Sequence, residues 1–240
     1  MQTEILYRPA YSLTRVRLDP NEEIRVEAGS MVSMSTGVTV ETAMQGGLLK
    51  SIARSMFGGE SFFVNTYRAP AEGGEINLAP PLPGDMEVLH LENETLMVQS
   101  GAFVASAKSI TTETGWGGAK TFFASEGFIM LKVSGTGELM LSSYGAIHDM
   151  SLGAGERYTV DTGHLVAFTE GMGFAVRRIG GVKSTLFSGE GLVVDLTGPG
   201  RVLMQTRSAD AFLSWLTPKL PTQGSGSSGN QGGFNIKLGG

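Results

Sequence analysis

Cysteine is absent from this 240-residue chain, and charged residues are few. Without cysteine the chain has no disulfides and no thiolate metal sites, and its redox compartment stays open. Only 17% of the residues are charged, and the formal net charge is −5. A protein that binds nucleic acid without sequence preference needs clustered lysine and arginine to displace counterions. The composition therefore argues against nucleic acid as a partner.

Long apolar runs are also missing, and none approaches the roughly 20 residues that a transmembrane helix needs. The opening stretch, MQTEILYRPAYSLTRVRL, alternates polar and apolar residues, which is typical of a strand and not of a signal peptide. The early Glu4 is untypical of an arginine-rich transit peptide. These features predict a soluble, cytoplasmic protein.

Patterns that carry catalysis or bind metals are sparse. The histidines His90, His148 and His164 stand singly, without the short spacing of a metal site. The stretch GGVKST (180–185) lacks the adjacent Gly-Lys of a phosphate loop, because Val182 intervenes. No Gly-x-Ser-x-Gly elbow offers a serine nucleophile. We expect no catalytic residue, no metal and no cofactor, and hence no enzyme.

What the chain has instead is internal repetition. Three segments align without a gap: LDPNEEIRVEAGSMVSM (18–34), HLENETLMVQSGAFVAS (90–106) and LGAGERYTVDTGHLVAF (152–168). Each has a polar turn, alternating apolar residues, a glycine, and then an apolar residue followed by valine. Period-two spacing on both sides of a corner predicts strand, tight turn, strand. The corner glycines are Gly29, Gly101 and Gly163, placed where a positive φ is often needed.

A second block follows each of these segments, at 46–78, 117–141 and 180–204. Every copy opens on Gly-Gly and leads through a strand to a glycine-rich turn and a further strand. The last turn glycines recur at a spacing of 63 residues: Gly74, Gly137 and Gly200. The pattern predicts one domain over 1–217, made of three β repeats of about 60 to 70 residues. We place the repeats at about 1–86, 87–149 and 150–217.

The repeat also decides the role of Asp161, which lies in an Asp-Thr-Gly sequence typical of an aspartic protease. Its equivalents in the other copies are Glu27 and Gln99. An aspartic protease needs two aspartates that share a proton, and Gln99 cannot ionise. We therefore interpret Asp161 as a polar side chain that closes a strand corner.

Two short helices are predicted beside the strands. The insertion LLKSIARSMF (48–57) in the first copy places apolar residues on one helical face. This helix either caps an end of the β domain or docks on a partner or a membrane surface. The docking residues would be Leu49, Ile52, Met56 and Phe57. The second helix lies in SADAFLSWLTP (208–218), with Ser208 as N-cap and Pro218 as terminator, and we expect it to cover an open edge or end of the sheets.

The last segment, 218–240, is predicted to be a flexible tail rich in glycine and serine. Residues 234–238 alternate apolar Phe234, Ile236 and Leu238 with polar residues, which is typical of a short strand. We hypothesise that this strand adds to an exposed sheet edge of a neighbouring subunit or partner.

Four strings carry a resemblance to a known family: GGESFFVNTYRA (58–69), LKVSGTGELMLSSYGAI (131–147), VDTGHLVAF (160–168) and GLVVDLTGPGRVLMQTRS (191–208). Over about residues 1–217 the chain resembles the mitochondrial-biogenesis "altered inheritance of mitochondria" family, which is widespread in bacteria. The resemblance implies an all-β fold like that of the tryptophan RNA-binding attenuation protein. Three double-stranded β-helix-like units would then surround a pseudo-threefold axis, with one or two short capping helices. The resemblance implies no established catalytic residue.

Three classes of function remain open. The first is a non-enzymatic scaffold that forms a homo-oligomer, a trimer or larger, and binds an unknown protein, either in solution or as a peripheral protein on a membrane surface. The second is a small-ligand or RNA-binding module, for which Lys50, Arg54, Lys120 and Lys183 are too scattered to form a basic stripe. The third is a cupin-like metalloenzyme, which the isolated histidines disfavour. The scaffold is the function that we predict.

Overall fold

The structure is a computed structural model that describes residues 1–42, 64–114, 129–179 and 192–220. These residues form seventeen β-strands, one α-helix and short 3-10 turns, so the all-β prediction is confirmed. The predicted helix at 48–57 and the predicted strand at 234–238 lie outside the described residues.

The first repeat contributes two sets of paired strands. Its strands are β1 (Gln2–Leu6), β2 (Leu13–Leu18), β3 (Glu23–Glu27), β4 (Met31–Met34), β5 (Thr39–Thr42), β6 (Val64–Arg68) and β7 (Gly74–Leu78). One set has the order β1-β2-β7-β4, and in the other β6 lies between β3 and β5.

The second repeat uses fewer and longer strands. Its strands are β8 (Met86–Gln99), β9 (Phe103–Ala107), β10 (Thr111–Thr114) and β11 (Met130–Ser142). Two of its strands, β8 and β11, each cover a length that two separate strands cover in the first repeat. β8 and β11 pair along their whole length, with one register shift at Gly135–Thr136.

The third repeat returns to separate short strands. They are β12 (Ile147–Leu152), β13 (Arg157–Asp161), β14 (Leu165–Thr169), β15 (Gly173–Arg178), β16 (Leu192–Thr197) and β17 (Gly200–Gln205). Strand β12 pairs with β17 in the register in which β2 pairs with β7, so β12 is the equivalent of β2.

The hydrogen-bond register recurs from repeat to repeat. Within each copy an apolar residue of the strand before the corner lies opposite an apolar or aromatic residue: Ile24 opposite Tyr67, Leu96 opposite Val133 and Tyr158 opposite Leu196. The strand after the corner carries a β-bulge at the same valine in every copy: Val32, Val104 and Val166. A bulge leaves one residue unpaired and bends its strand. The three copies therefore share one strand-pairing scheme.

Neighbouring repeats share a sheet. Strand β3 of the first repeat pairs with β9 of the second, and β8 of the second pairs with β14 of the third. A closed threefold arrangement would also bring β13 beside β4. Among the described strands, β13 pairs only with β16 and β4 pairs only with β7. The pseudo-threefold arrangement thus stays a prediction, with two of its three junctions formed.

The C-terminal helix α1 (Ala209–Leu216) lies where the sequence placed it, and the Ser208 hydroxyl accepts a hydrogen bond from the Ala211 N–H. Pro218 falls in the 3-10 turn that follows. None of the residues of α1 is buried, so the helix does not cover a sheet in the way that we expected. Its apolar face lies at the surface instead.

Candidate functional site

The three histidines lie on different elements: His90 in β8, His148 in β12 and His164 in the 3-10 turn Thr162–His164. His90 and His148 are exposed on strands, and His164 has its Nδ1 2.7 Å from the backbone oxygen of Gln205. Within the described ranges no three side chains of histidine, aspartate and glutamate gather as a metal site would require.

Asp161 closes a corner. Its Oδ1 accepts a 2.8 Å hydrogen bond from the Gly163 N–H, which caps the short 3-10 turn Thr162–His164. The second copy makes the same kind of turn at Ser100–Ala102, around Gly101. The first copy turns differently, with Gly29 at φ +96°, a conformation that disfavours a side chain. The three glycines therefore join equivalent strands through two kinds of turn.

The second set of glycines lies in strands and not in turns. Gly74 and Gly200 begin β7 and β17, and Gly137 lies inside β11. Each lies opposite a leucine of the neighbouring strand: Leu18, Leu91 and Leu152. In the ungapped sequence alignment His90 is the equivalent of Leu18, but in the structure Leu91 takes that place opposite Gly137. A Cβ at Gly74 would lie 2.7 Å from a Val38 methyl group, so close packing explains the glycine there.

The ionic side chains of the described strands hold elements together. Asp149 pairs with Arg201 at 2.7 Å, not with the adjacent His148, and the hydrogen bond from Arg201 lowers the pKa of Asp149. Lys108 lies 2.6 Å from Glu23, and that hydrogen bond lowers the pKa of Glu23. Both pairs join strands or repeats, so their chemistry is structural.

An open cleft of about 450 Å³ lies where the first two repeats meet. Its lining is Met1, Glu22, Glu23, Ala107, Lys108 and Ser109. The charged groups there pair with one another, Glu23 with Lys108 and Glu22 with the Met1 amino group at 3.0 Å. The charged groups of its described lining are thus engaged with one another.

The surface that stands out is the unpaired side of two strands, which we name the β4 edge (Met31–Met34) and the β13 edge (Arg157–Asp161). On the β4 edge Val32 is 56% exposed and Met34 is 41% exposed, and on the β13 edge Tyr158 is 41% exposed. The equivalents of Val32 in the other repeats, Val104 and Val166, are 0% exposed. Among the described residues, equivalent strands are thus buried where a preceding repeat lies against them and exposed at β4, which has no such neighbour.

A second apolar surface lies around helix α1, and we name it the helix patch: Phe212, Leu213, Trp215 and Leu220. All four side chains are exposed. Phe212 meets Tyr144 edge-to-face at 6.3 Å, and the Lys219 ammonium lies 4.6 Å from the centre of the Trp215 ring. Aromatic rings beside a cation are common in binding surfaces.

Sequence reasoning placed the partner-binding residues elsewhere, at Leu49, Ile52, Met56 and Phe57 and at Phe234, Ile236 and Leu238, all outside the described residues. It missed Val32 and Tyr158. The repeat alignment carried no signal for them, because it treats the three copies as equivalent. No helix among the described residues is both long and apolar enough to cross a bilayer.

Comparison with known proteins agrees with this architecture. An uncharacterized protein of Streptococcus pyogenes serotype M6 is 28% identical over 221 residues, which is 88% of each chain. The crystal structure of a Streptococcus pyogenes protein matches with a TM-score of 0.77 and 26% identity, over 91% of this chain and 99% of that one. The model of the family described as "Mitochondrial biogenesis AIM24" matches residues 3–207. With most of its length matched, this chain belongs to the mitochondrial biogenesis AIM24 family.

Proposed function

We propose that this protein is a non-enzymatic scaffold that associates with further copies of itself and presents its surface to a protein partner. The observation that supports self-association is the β4 edge, where Val32 is 56% exposed while its two equivalents are fully buried. Burial of a valine or methionine side chain contributes about 1.5–3 kcal/mol. A strand that carries such side chains beside unpaired backbone groups favours pairing with another chain.

The helix patch supports the second part of the proposal. Its four large apolar side chains are exposed on one short helix and the residues that follow it, and the rings of Phe212 and Trp215 stack at 6.1 Å. Contiguous exposed apolar surface rimmed by polar groups is typical of sites where proteins meet. A scaffold that assembles through its sheets keeps this patch available for a partner.

The test of self-association is the mass in solution, measured by size-exclusion chromatography with light scattering over a wide range of protein concentrations. We expect a species larger than the 25.3 kDa chain at micromolar concentration. A monomeric mass throughout that range would overturn the scaffold as proposed.

A further inference from the structure

We infer that the β13 edge of one copy pairs with the β4 edge of the next copy, antiparallel and with Thr159 opposite Met34. This contact rests on the self-association proposed above and specifies how it is made. It would build between two chains the same junction that joins the repeats within one chain.

The register follows from the two junctions that the chain already contains. At the middle of each junction the paired residues are Arg25 with Ser106, and Met97 with Phe168. The pairs on either side have the same register in both junctions: Ile24 with Ala107, Val26 with Ala105, Leu96 with Thr169 and Val98 with Ala167. The repeat equivalences carry this pattern forward to Thr159 with Met34, Tyr158 with Ser35 and Val160 with Ser33. The register of the two junctions within the chain thus defines the register of the contact between copies.

The bulge valines show what such a junction buries. Val104 of the second repeat belongs to the hydrophobic cluster of the first, together with Ile24 and Ile76. Val166 of the third repeat belongs to the cluster of the second. The third repeat has its own cluster, around Leu165 and Leu196, and within the described chain no following repeat adds a valine to it. Val32 of another copy is the residue that occupies this place.

Backbone groups of the β4 edge are oriented for the same contact. The Ser35 N–H bonds to the Glu75 oxygen at 2.9 Å, inside the sheet of the first repeat. Because successive N–H groups of a strand point to opposite sides, the Met34 N–H and C=O face the unpaired side. A partner strand with Thr159 opposite Met34 would satisfy both groups.

The occupant is a second copy because the two edges are complementary but do not meet within one chain. In the described part of the molecule, β4 and β13 have no contact that pairs them. A contact between two different surfaces of identical chains is head-to-tail, so every added copy again presents one edge of each kind.

Engineered cysteines test the register directly, since the natural chain has none. Purified Met34→Cys and Thr159→Cys proteins, mixed and oxidised, are expected to form a disulfide-linked dimer. Residues that exchange backbone hydrogen bonds across an antiparallel pair have Cα atoms about 5.5 Å apart, within the range of a disulfide. Each variant oxidised alone should stay unlinked, because a head-to-tail contact does not bring two copies of one position together.

The matched control is Met34→Cys mixed with Tyr158→Cys. Tyr158 is well exposed, so random collisions would link it readily, but a shift of one residue turns the side chain to the other face of the sheet. We expect a yield at least about tenfold lower than for the Met34–Thr159 mixture. Equal yields in the two mixtures would overturn the register.

A second variant tests the buried valine. Val32→Asp should raise the dissociation constant of the assembly at least about tenfold, because a charge would enter an apolar cluster. Val40→Asp is the control, since Val40 is also exposed but lies on β5. Both variants should keep the thermal stability of the dissociated subunit. An unchanged assembly in Val32→Asp would overturn the contact.

The outcomes separate this inference from the proposed function. A monomeric wild-type protein would contradict both the proposed scaffold function and the edge contact. A multimer without the Met34–Thr159 link would leave the scaffold standing and overturn the edge contact. A chain carrying both cysteines that links only within itself would show that the three repeats close on their own, which also overturns the contact between copies.

Discussion

At the scale of single residues, Asp85 shows how one buried carboxylate ties the segment between β1 and β2 to the start of β8. It is 6% exposed and accepts hydrogen bonds from the Arg8 Nε at 2.8 Å, the Ser12 hydroxyl at 3.0 Å and the Met86 N–H at 2.9 Å. Burial alone would raise the pKa of Asp85, but these donors outweigh burial and lower it below the ordinary value. The ion pair joins residues that are 77 positions apart in the sequence, so no local sequence pattern predicts it.

We predict that Asp85→Asn lowers the free energy of unfolding at pH 7 by about 1–3 kcal/mol, because Arg8 loses its charged partner and the cluster loses an acceptor. Since the folded pKa is lowered, the contribution of the wild-type carboxylate is present above the unfolded pKa. It is lost as the pH falls through the folded pKa. Urea unfolding of both proteins across this acid range should show the difference shrinking, and a constant difference would contradict the assignment.

Glu138 is a residue whose pKa is shifted in the opposite direction, upward. It is half-buried opposite His90 on the neighbouring strand, its Oε2 has no hydrogen-bond partner, and burial raises its pKa. Because the ionised form is disfavoured in the fold, this carboxyl costs stability as the pH rises through and above the unfolded pKa.

We predict that Glu138→Gln stabilises the protein at pH 7 by up to about 1 kcal/mol. The gain should disappear in acid, below the unfolded pKa, where the wild-type carboxyl is protonated in both states. Thermal unfolding at neutral and acid pH measures this. A loss of stability at pH 7 would show that the charge of Glu138 has a favourable partner.

At the scale of elements, the strands and corners could be predicted because alternation and glycine placement are local properties. The strand before each corner and the strand after it lie where the ungapped repeat placed them, as at Glu23–Glu27 and Met31–Met34. The helix at Ala209–Leu216 and its cap at Ser208 were predicted for the same reason. The sheets shared between repeats were not, because periodicity shows which face of a strand is apolar but not which strand lies beside it.

The bulge strands give a prediction about these shared sheets. Val104→Ala and Val166→Ala should each cost about 1–3 kcal/mol, since each removes buried methyl groups from the core of the preceding repeat. Val32→Ala should change the stability of the dissociated subunit by less than about 0.5 kcal/mol, because Val32 is exposed there. Urea unfolding at concentrations that keep the subunit dissociated compares the three. A comparable loss in Val32→Ala would mean that Val32 is buried within its own chain.

At the scale of the whole molecule, the second and third repeats each complete the core of the repeat before them. The triplication could be predicted from the sequence because three segments of the chain align with one another. The family could be predicted because four strings of the chain resemble it. The open ends were not, since an alignment of three equivalent copies treats all three junctions alike. The exposure of Val32 against the burial of Val104 and Val166 is a property of the folded chain only.

Head-to-tail contact predicts complementation between two damaged subunits. Val32→Asp removes the β4 edge but leaves the β13 edge intact. Thr159→Pro removes the β13 edge, because proline lacks the N–H that faces Met34, and leaves the β4 edge intact. Each variant alone should be monomeric, since every contact needs one edge of each kind. Circular dichroism of each variant first verifies that the β-sheets are retained.

Mixed in equal amounts, the two variants keep one good pair of edges, so the mixture should stop at a dimer that contains one chain of each. Native mass spectrometry measures this species against the wild-type assembly, with a mixture of Val32→Asp and Val40→Asp as the control that should yield no such stop. A contact that joins identical surfaces behaves differently, because a subunit damaged in that surface fails with every partner. Failure of the two variants to complement each other, with both folded, would therefore exclude the head-to-tail contact.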